Sequence, residues 1–301
     1  MKYIKIISFF YLLSATTQTF AQDSTVSLLS ILEKEMEQNK DMTIYTTATF
    51  KTTRLINGHS VENVGKGVLD VKISHRFGNI SEGFYQLFGL DKASMRMGFD
   101  YGITKDIMIG VGRSTFQKTY DGFIKVKILH QSRGKKNMPI TLSYVPTIAL
   151  KTLRYEDPKI DNHFRSRLSY SHQLIIGRKF SDKTSLQLMP TFIHQNLVTL
   201  AAESNDIVAI GIGGRQKLSK RISFNAEYYY VLPGTKLNGT SNSLSLGFDI
   251  ETGGHVFQLH FTNSQGMNER TFIADTKGRW DKGDIYFGFN ISRVFTIGKK
   301  H

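Results

Sequence analysis

From residue 66 onward the apolar side chains of this chain recur at every second position, in runs of roughly ten residues broken by turns. Leu69, Val71, Ile73, His75 and Phe77 interleave with Asp70, Lys72, Ser74 and Arg76. Met95, Met97, Phe99, Tyr101 and Ile103 interleave with Ser94, Arg96, Gly98, Asp100 and Gly102. Leu244, Leu246, Phe248 and Ile250 alternate with Ser243, Ser245, Gly247, Asp249 and Glu251. Neighbouring side chains of a strand point to opposite faces, so each run has one oily and one polar face. A soluble sandwich would tuck the oily face under a second sheet, whereas a transmembrane barrel would turn it to lipid and enclose the polar face. Length separates the two. Strands of soluble sheets average about five or six residues, while a tilted membrane-spanning strand needs roughly nine to eleven. The runs therefore predict an all-β fold, a transmembrane antiparallel up-and-down β-barrel.

The segments fall at 66–77, 93–104, 106–116, 122–131, 139–151, 164–178, 184–196, 206–217, 221–232, 242–251, 254–264 and 284–296. That makes about twelve strands, an even number as single-chain bacterial barrels require. Short links at Thr104-Lys105-Asp106, Ser181-Asp182-Lys183, Leu218-Ser219-Lys220 and Thr252-Gly253-Gly254 interleave with longer loops near 78–92, 152–163, 197–205, 233–241 and 265–283. Short periplasmic turns and long external loops are what this topology demands. The 132–138 link is longer than its periplasmic place requires. Tyr228 and Tyr230 at one rim, with Phe99 and Tyr101 at the other, fit the aromatic girdles of the lipid interfaces.

Upstream of the barrel (66–301) the pattern changes. Residues 1–21 combine Lys2 and Lys5, a short apolar run and a small-residue cut site after Ala21, which reads as a secretory signal peptide. Residues 22–65 are expected to form an N-terminal segment, periplasmic or entering the lumen as a plug, the alternative being a further barrel strand with an unrecognised partner. A short amphipathic helix is expected from Ser24 to about Gln38, then an extended stretch from Thr43 to Leu55 and a turn at Asn57-Gly58. Export to the outer membrane disposes of nucleic acid as the reason for a net charge of +14. Loops facing lipopolysaccharide account for that charge instead, and outer-membrane lipid and the barrel-assembly machinery are the other expected partners. With no cysteine, thiolate metal sites, a thiol nucleophile and a disulfide framework are excluded.

Several stretches resemble a family of Gram-negative outer-membrane β-barrels known only as a domain of unknown function. They are residues 73–78 (ISHRFG), 97–102 (MGFDYG), 118–122 (KTYDG), 185–190 (SLQLMP), 248–257 (FDIETGGHVF) and 288–295 (GFNISRVF). The resemblance implies the barrel and the outer membrane, and supplies no activity. The ending differs from the usual one, since six residues, Thr296 to His301, follow Phe295.

The alternation assigns the lumen wall. Arg76, Arg96, Lys125, Lys127, Arg165 and Arg167 are expected to face inward, with Asp100 and Glu227 among the inward acids beside Asp70, Asp249, Glu251 and Asp284. One-sided positive charge in a low-dielectric pore favours anions. The sharper expectation is thus a narrow pore or binding barrel for small, anionic solutes. The alternative is a structural or interaction barrel whose lumen is packed with mutually satisfied charges. A lipid-modifying enzyme ranks third. His75, His172 and His194 are expected to face lipid, and none has a same-face serine or carboxylate at the adjacent position with a third group to orient it. No catalytic residue, metal site or cofactor is expected.

Overall fold

The computed structural model describes residue 30 and residues 42–154, 163–253 and 255–297. The expected signal peptide and nearly all of the expected helix lie outside the described residues. The strands are β1 (Thr43–Tyr45), β2 (Val68–Asn79), β3 (Ala93–Gly102), β4 (Ile107–Ser114), β5 (Thr119–Leu129), β6 (Ser132–Gly134) and β7 (Thr141–Lys151). They continue as β8 (Leu168–Lys179), β9 (Thr184–Gln195), β10 (Asp206–Lys217), β11 (Ile222–Val231), β12 (Ser243–Thr252), β13 (His255–Thr262) and β14 (Tyr286–Thr296). All but β1 and β6 join in one closed barrel of twelve strands, in which β14 pairs back onto β2. Each strand runs antiparallel to its neighbours, so closure leaves no edge and every strand is paired on both sides.

The chain divides into two units. In the smaller, β1 pairs with β6 in the register Thr43↔Gly134, Ile44↔Arg133 and Tyr45↔Ser132. This explains the long link between β5 and β7: it supplies the second strand of that pair. The expected extended stretch 43–55 is accordingly strand only over its first three residues.

In the larger unit the alternation reads as expected. Along β3, Arg96, Gly98, Asp100 and Gly102 are buried while Met95, Met97 and Phe99 are exposed on the outer face. Along β9, Leu186, Leu188 and Phe192 face outward and Gln187, Met189 and Thr191 inward. The outer face is thus a continuous aliphatic and aromatic belt, and His75 stacks in it on Phe289 with ring centroids 5.0 Å apart. Among the described residues no helix is long and apolar enough to cross a membrane, so crossing falls to the strands. Leu188 lies near the middle of β9 and is 42% exposed. Leu188→Arg is expected to destabilise the barrel by about 2–4 kcal/mol, the cost of a cation at bilayer mid-depth. Urea unfolding in phosphatidylcholine vesicles measures it.

Inside this wall lies chain. Residues 49–61 are almost wholly buried and make a tight hairpin, with Arg54 bridged to His59, Leu55 N–H donating to Gly58 O at 2.8 Å and Ser60 N–H to Thr53 O at 3.0 Å. The turn falls at Asn57-Gly58. From the other end, the loop between β13 and β14 folds inward through a single π-helical turn, Arg270–Ala274, burying Phe272 and Ile273.

Candidate functional site: the barrel interior

The interior has two walls of different chemistry. From β4 to β11 the inward residues include Met108, Phe123, Val145, Ile175, Met189, Ile207 and Tyr229. They form one apolar cluster with Phe50, Leu55 and Val61 of the hairpin and Phe272 of the inward loop. From β12 round through β14 to β3 the wall is polar, with Asp249, Gln258, Asn290, Lys72, Arg76, Arg96 and Asp100 buried. An alternation pattern alone suggests a uniformly polar lumen. The structure differs because the wall packs against chain rather than water, and from β4 to β11 the chain it meets presents Phe50, Leu55, Val61 and Phe272.

A hairpin inside a barrel has backbone groups that no sheet satisfies, and leaving them unpaired would be costly. Wall side chains satisfy them. The Glu227 carboxylate accepts the N–H groups of Ile56, Asn57 and Gly58 at 3.3, 2.8 and 3.1 Å. Lys125 Nζ donates to the carbonyl oxygens of Thr53, Ser60 and Glu62 at 3.2, 3.0 and 2.7 Å. Gln258 and Asn290 donate to Leu55 O and Ile56 O at 2.8 and 2.9 Å, and Gln187 to His59 O at 2.8 Å. Arg76 donates to Asn57 Oδ1 at 2.7 Å and Asn290 Oδ1 at 3.1 Å. At Gly58 a Cβ would fall on the Tyr229 hydroxyl, so only glycine fits that tip.

Ion pairs fill the remainder. Lys72 Nζ lies 2.8 Å from both Asp70 and Asp100, Arg96 pairs with Asp121, and Arg54 of the hairpin meets Glu269 of the inward loop at 2.9 Å. His59 is fully buried, 4.4 Å from the Phe123 ring centroid and 3.5 Å from Glu269. Burial, reinforced by Arg54 and Lys125, holds its imidazole well below the usual histidine range. Two cavities flank this filling. One of about 690 Å³ opens at the short-turn end, between hairpin residues such as Lys51 and Glu62 and wall residues such as Glu251 and His255. The other, about 610 Å³, opens at the long-loop end.

Of the residues expected to line the lumen, Arg76, Arg96, Asp100, Lys125 and Glu227 are buried in the wall, and Lys127 is half-buried with Glu62 3.9 Å away. Arg165 and Arg167 are placed elsewhere. They sit in a 3-10 turn, Phe164–Arg167, ahead of β8, where Arg165 is exposed and Arg167 donates to Lys151 O and Leu153 O. The tight turn replaces strand there, so the ladder begins at Leu168. Nor is the basic charge one-sided, because Asp121 and Asp70 stand beside the cations. Asp121 alternates with Phe123 and Lys125 because the strand starts at Thr119, ahead of the expected residue 122; Arg54 and Glu269 lie outside any strand and carry no period.

On the lipid face, His172 Nδ1 is 2.6 Å from the Tyr144 hydroxyl, and His194 Nδ1 is 2.6 Å from Asp206. Among the described residues, neither these nor His75 meets a serine hydroxyl, and no group of three or more His, Cys, Asp or Glu could hold a metal.

A closed antiparallel wall with an oily outer belt and a chain-filled interior, polar along one side, defines a membrane-embedded β-barrel of the outer-membrane type. The chain belongs to the family described as membrane bound beta barrel domain (DUF5777), whose pattern matches residues 50–295. The match takes in the hairpin as well as the barrel. Among solved structures, the fold is similar to the NanC porin, at 8% identity and a TM-score of 0.47, covering 77% of this chain and 100% of that one. The KdgM porin (9%, 0.43, 76% and 99%) and the outer membrane protein Omp33 of Acinetobacter baumannii (6%, 0.41, 75% and 97%) are further examples. At such scores these likenesses carry no argument about function. No curated protein matches the chain in sequence.

Proposed function

We propose that this barrel is a narrow pathway for small solutes whose closed state is held by its own N-terminal hairpin. The observation that carries this reading is the arrangement along the barrel axis: a solvent-sized cavity at each mouth, with the hairpin and the inward loop between them. The hairpin is chain added to the barrel rather than part of the ladder, and one side of it rests on polar wall residues that water could satisfy in its absence. Withdrawal would leave a passage lined by Asp249, Gln258, Asn290 and Arg76. In planar bilayers the full chain is expected to be electrically quiet, and the chain lacking residues 46–64 to conduct in discrete steps. A deleted barrel that assembles, as judged by heat-modifiable gel migration, and still passes no current would overturn the reading.

The apolar cluster supports a second reading, a structural barrel with a permanently packed interior. It gives the opposite outcome in the same measurement.

A further inference from the structure

We propose that the cavity at the long-loop end is a binding site for a small organic anion with a short apolar body. It is bounded by the ends of β7 and β8 and by the loops that follow β4, β9, β11 and β13. Four cations line it, Lys151, Arg167, Arg270 and Lys277, against two acids, Glu203 and Asp275. Both acids are already engaged. Glu203 accepts the N–H groups of Leu200 and Asn238 at 3.1 and 3.0 Å. Asp275 pairs with Arg270 at 3.0 Å and accepts from Gln117 Nε2 at 3.1 Å. Among the described residues, neither Lys151 nor Lys277 forms an ion pair. Among the described residues the lining therefore carries an excess of positive charge, in a partly enclosed space where screening by water is weaker.

The floor of the cavity is held in place at a cost. Gln117 bonds both Arg270 (2.7 Å) and Asp275, and it does so with φ of 52°, next to Lys118 with φ of 47°, a left-handed conformation that side chains other than glycine rarely adopt. Apolar side chains share the lining: Leu197 and Leu200, each about half exposed, with Val198 and Leu237. Cations and aliphatic side chains lining one cavity match an anionic head carrying a few carbons, and the volume suits a ligand of that size. The cavity at the other mouth is unsuited to the same ligand, since Glu62, Asp70 and Glu251 there outnumber Lys51 and Arg221.

As a statement about what enters the barrel, this assignment rests on the pathway reading above; as a statement about binding, it stands without conduction. The test uses the full chain in nanodiscs of zwitterionic phosphatidylcholine at low salt, titrated calorimetrically with hexanoate. Saturable binding is expected, at least about tenfold tighter than for acetate, which lacks the body, or 1-hexanol, which lacks the charge. Lys151→Gln with Lys277→Gln, both at solvent-accessible positions, should weaken it by about tenfold or more, with gel migration unchanged. Equal affinity for 1-hexanol, or a double variant that binds as well as the parent, would overturn the site. Nanodiscs containing phosphatidylglycerol form the second arm: unchanged hexanoate affinity supports a soluble solute, and competition by that lipid overturns the soluble assignment. Binding with no current from the hairpin-deleted barrel leaves the site standing and removes only the pathway.

Discussion

Lys125→Met is expected to release the hairpin more than any other single change in the wall. Its ammonium is the shared donor to three carbonyls on both legs of the hairpin, and methionine fills the same volume while donating nothing. Each buried carbonyl left unpaired costs about 1–3 kcal/mol. The losses are not additive, and removing a cation that sits near Lys72 and Arg54 offsets part of them. A net loss of about 3 kcal/mol corresponds to a roughly hundredfold larger open population. The chain contains no cysteine, so a single Val61→Cys reports opening without interference. Val61 is 1% exposed, and a maleimide should label that cysteine slowly in the parent and roughly a hundredfold faster with Lys125→Met. Equal labelling rates would show that the three contacts do not hold the hairpin.

Glu227→Gln should act from the opposite pole. The carboxylate receives three N–H groups at the hairpin tip, and hydrogen bonds to a charged acceptor are worth about 1.5–3 kcal/mol each. Glutamine keeps one acceptor oxygen and turns an amide N–H₂ toward groups that are themselves donors. About 2–3 kcal/mol should be lost, a labelling increase of roughly thirty- to hundredfold at Val61→Cys. If the hairpin is the closure, the same variant raises the fraction of time the full chain conducts. Faster labelling without current would separate hairpin release from permeation.

These two residues also show how far the chain could be read before folding. Both were assigned to the inner wall from alternation alone, because Glu227 lies between Ala226 and Tyr228 on a strand of period two and Lys125 between Ile124 and Val126. Their duties were not legible. A lysine and a glutamate on the wall of a barrel look like elements of an ion path, whereas here they hold a backbone. The partners of Glu227 are about 170 residues distant in sequence, in a turn with no period of its own. Arg165 and Arg167 failed for the reverse reason. Their composition suits a strand, but a local turn ends the pattern at Arg167, and backbone hydrogen bonds to Lys151 and Leu153 hold the guanidinium outside the wall.

The amino-acid order by itself determined that the chain forms a barrel of about twelve strands, which face of them meets lipid, and the short and long ends, since all three follow from a local property: adjacent strand side chains point opposite ways. Only the tertiary structure decided that the interior is occupied, that half of its wall is apolar, that Lys72 and Arg96 are neutralised, and that Lys151, Arg270 and Lys277 line one cavity at the long-loop end. Those outcomes depend on which distant segments come to share one enclosed volume. Burial, satisfaction of backbone groups and charge pairing act there on neighbours in space, and a periodicity along the chain carries no record of them.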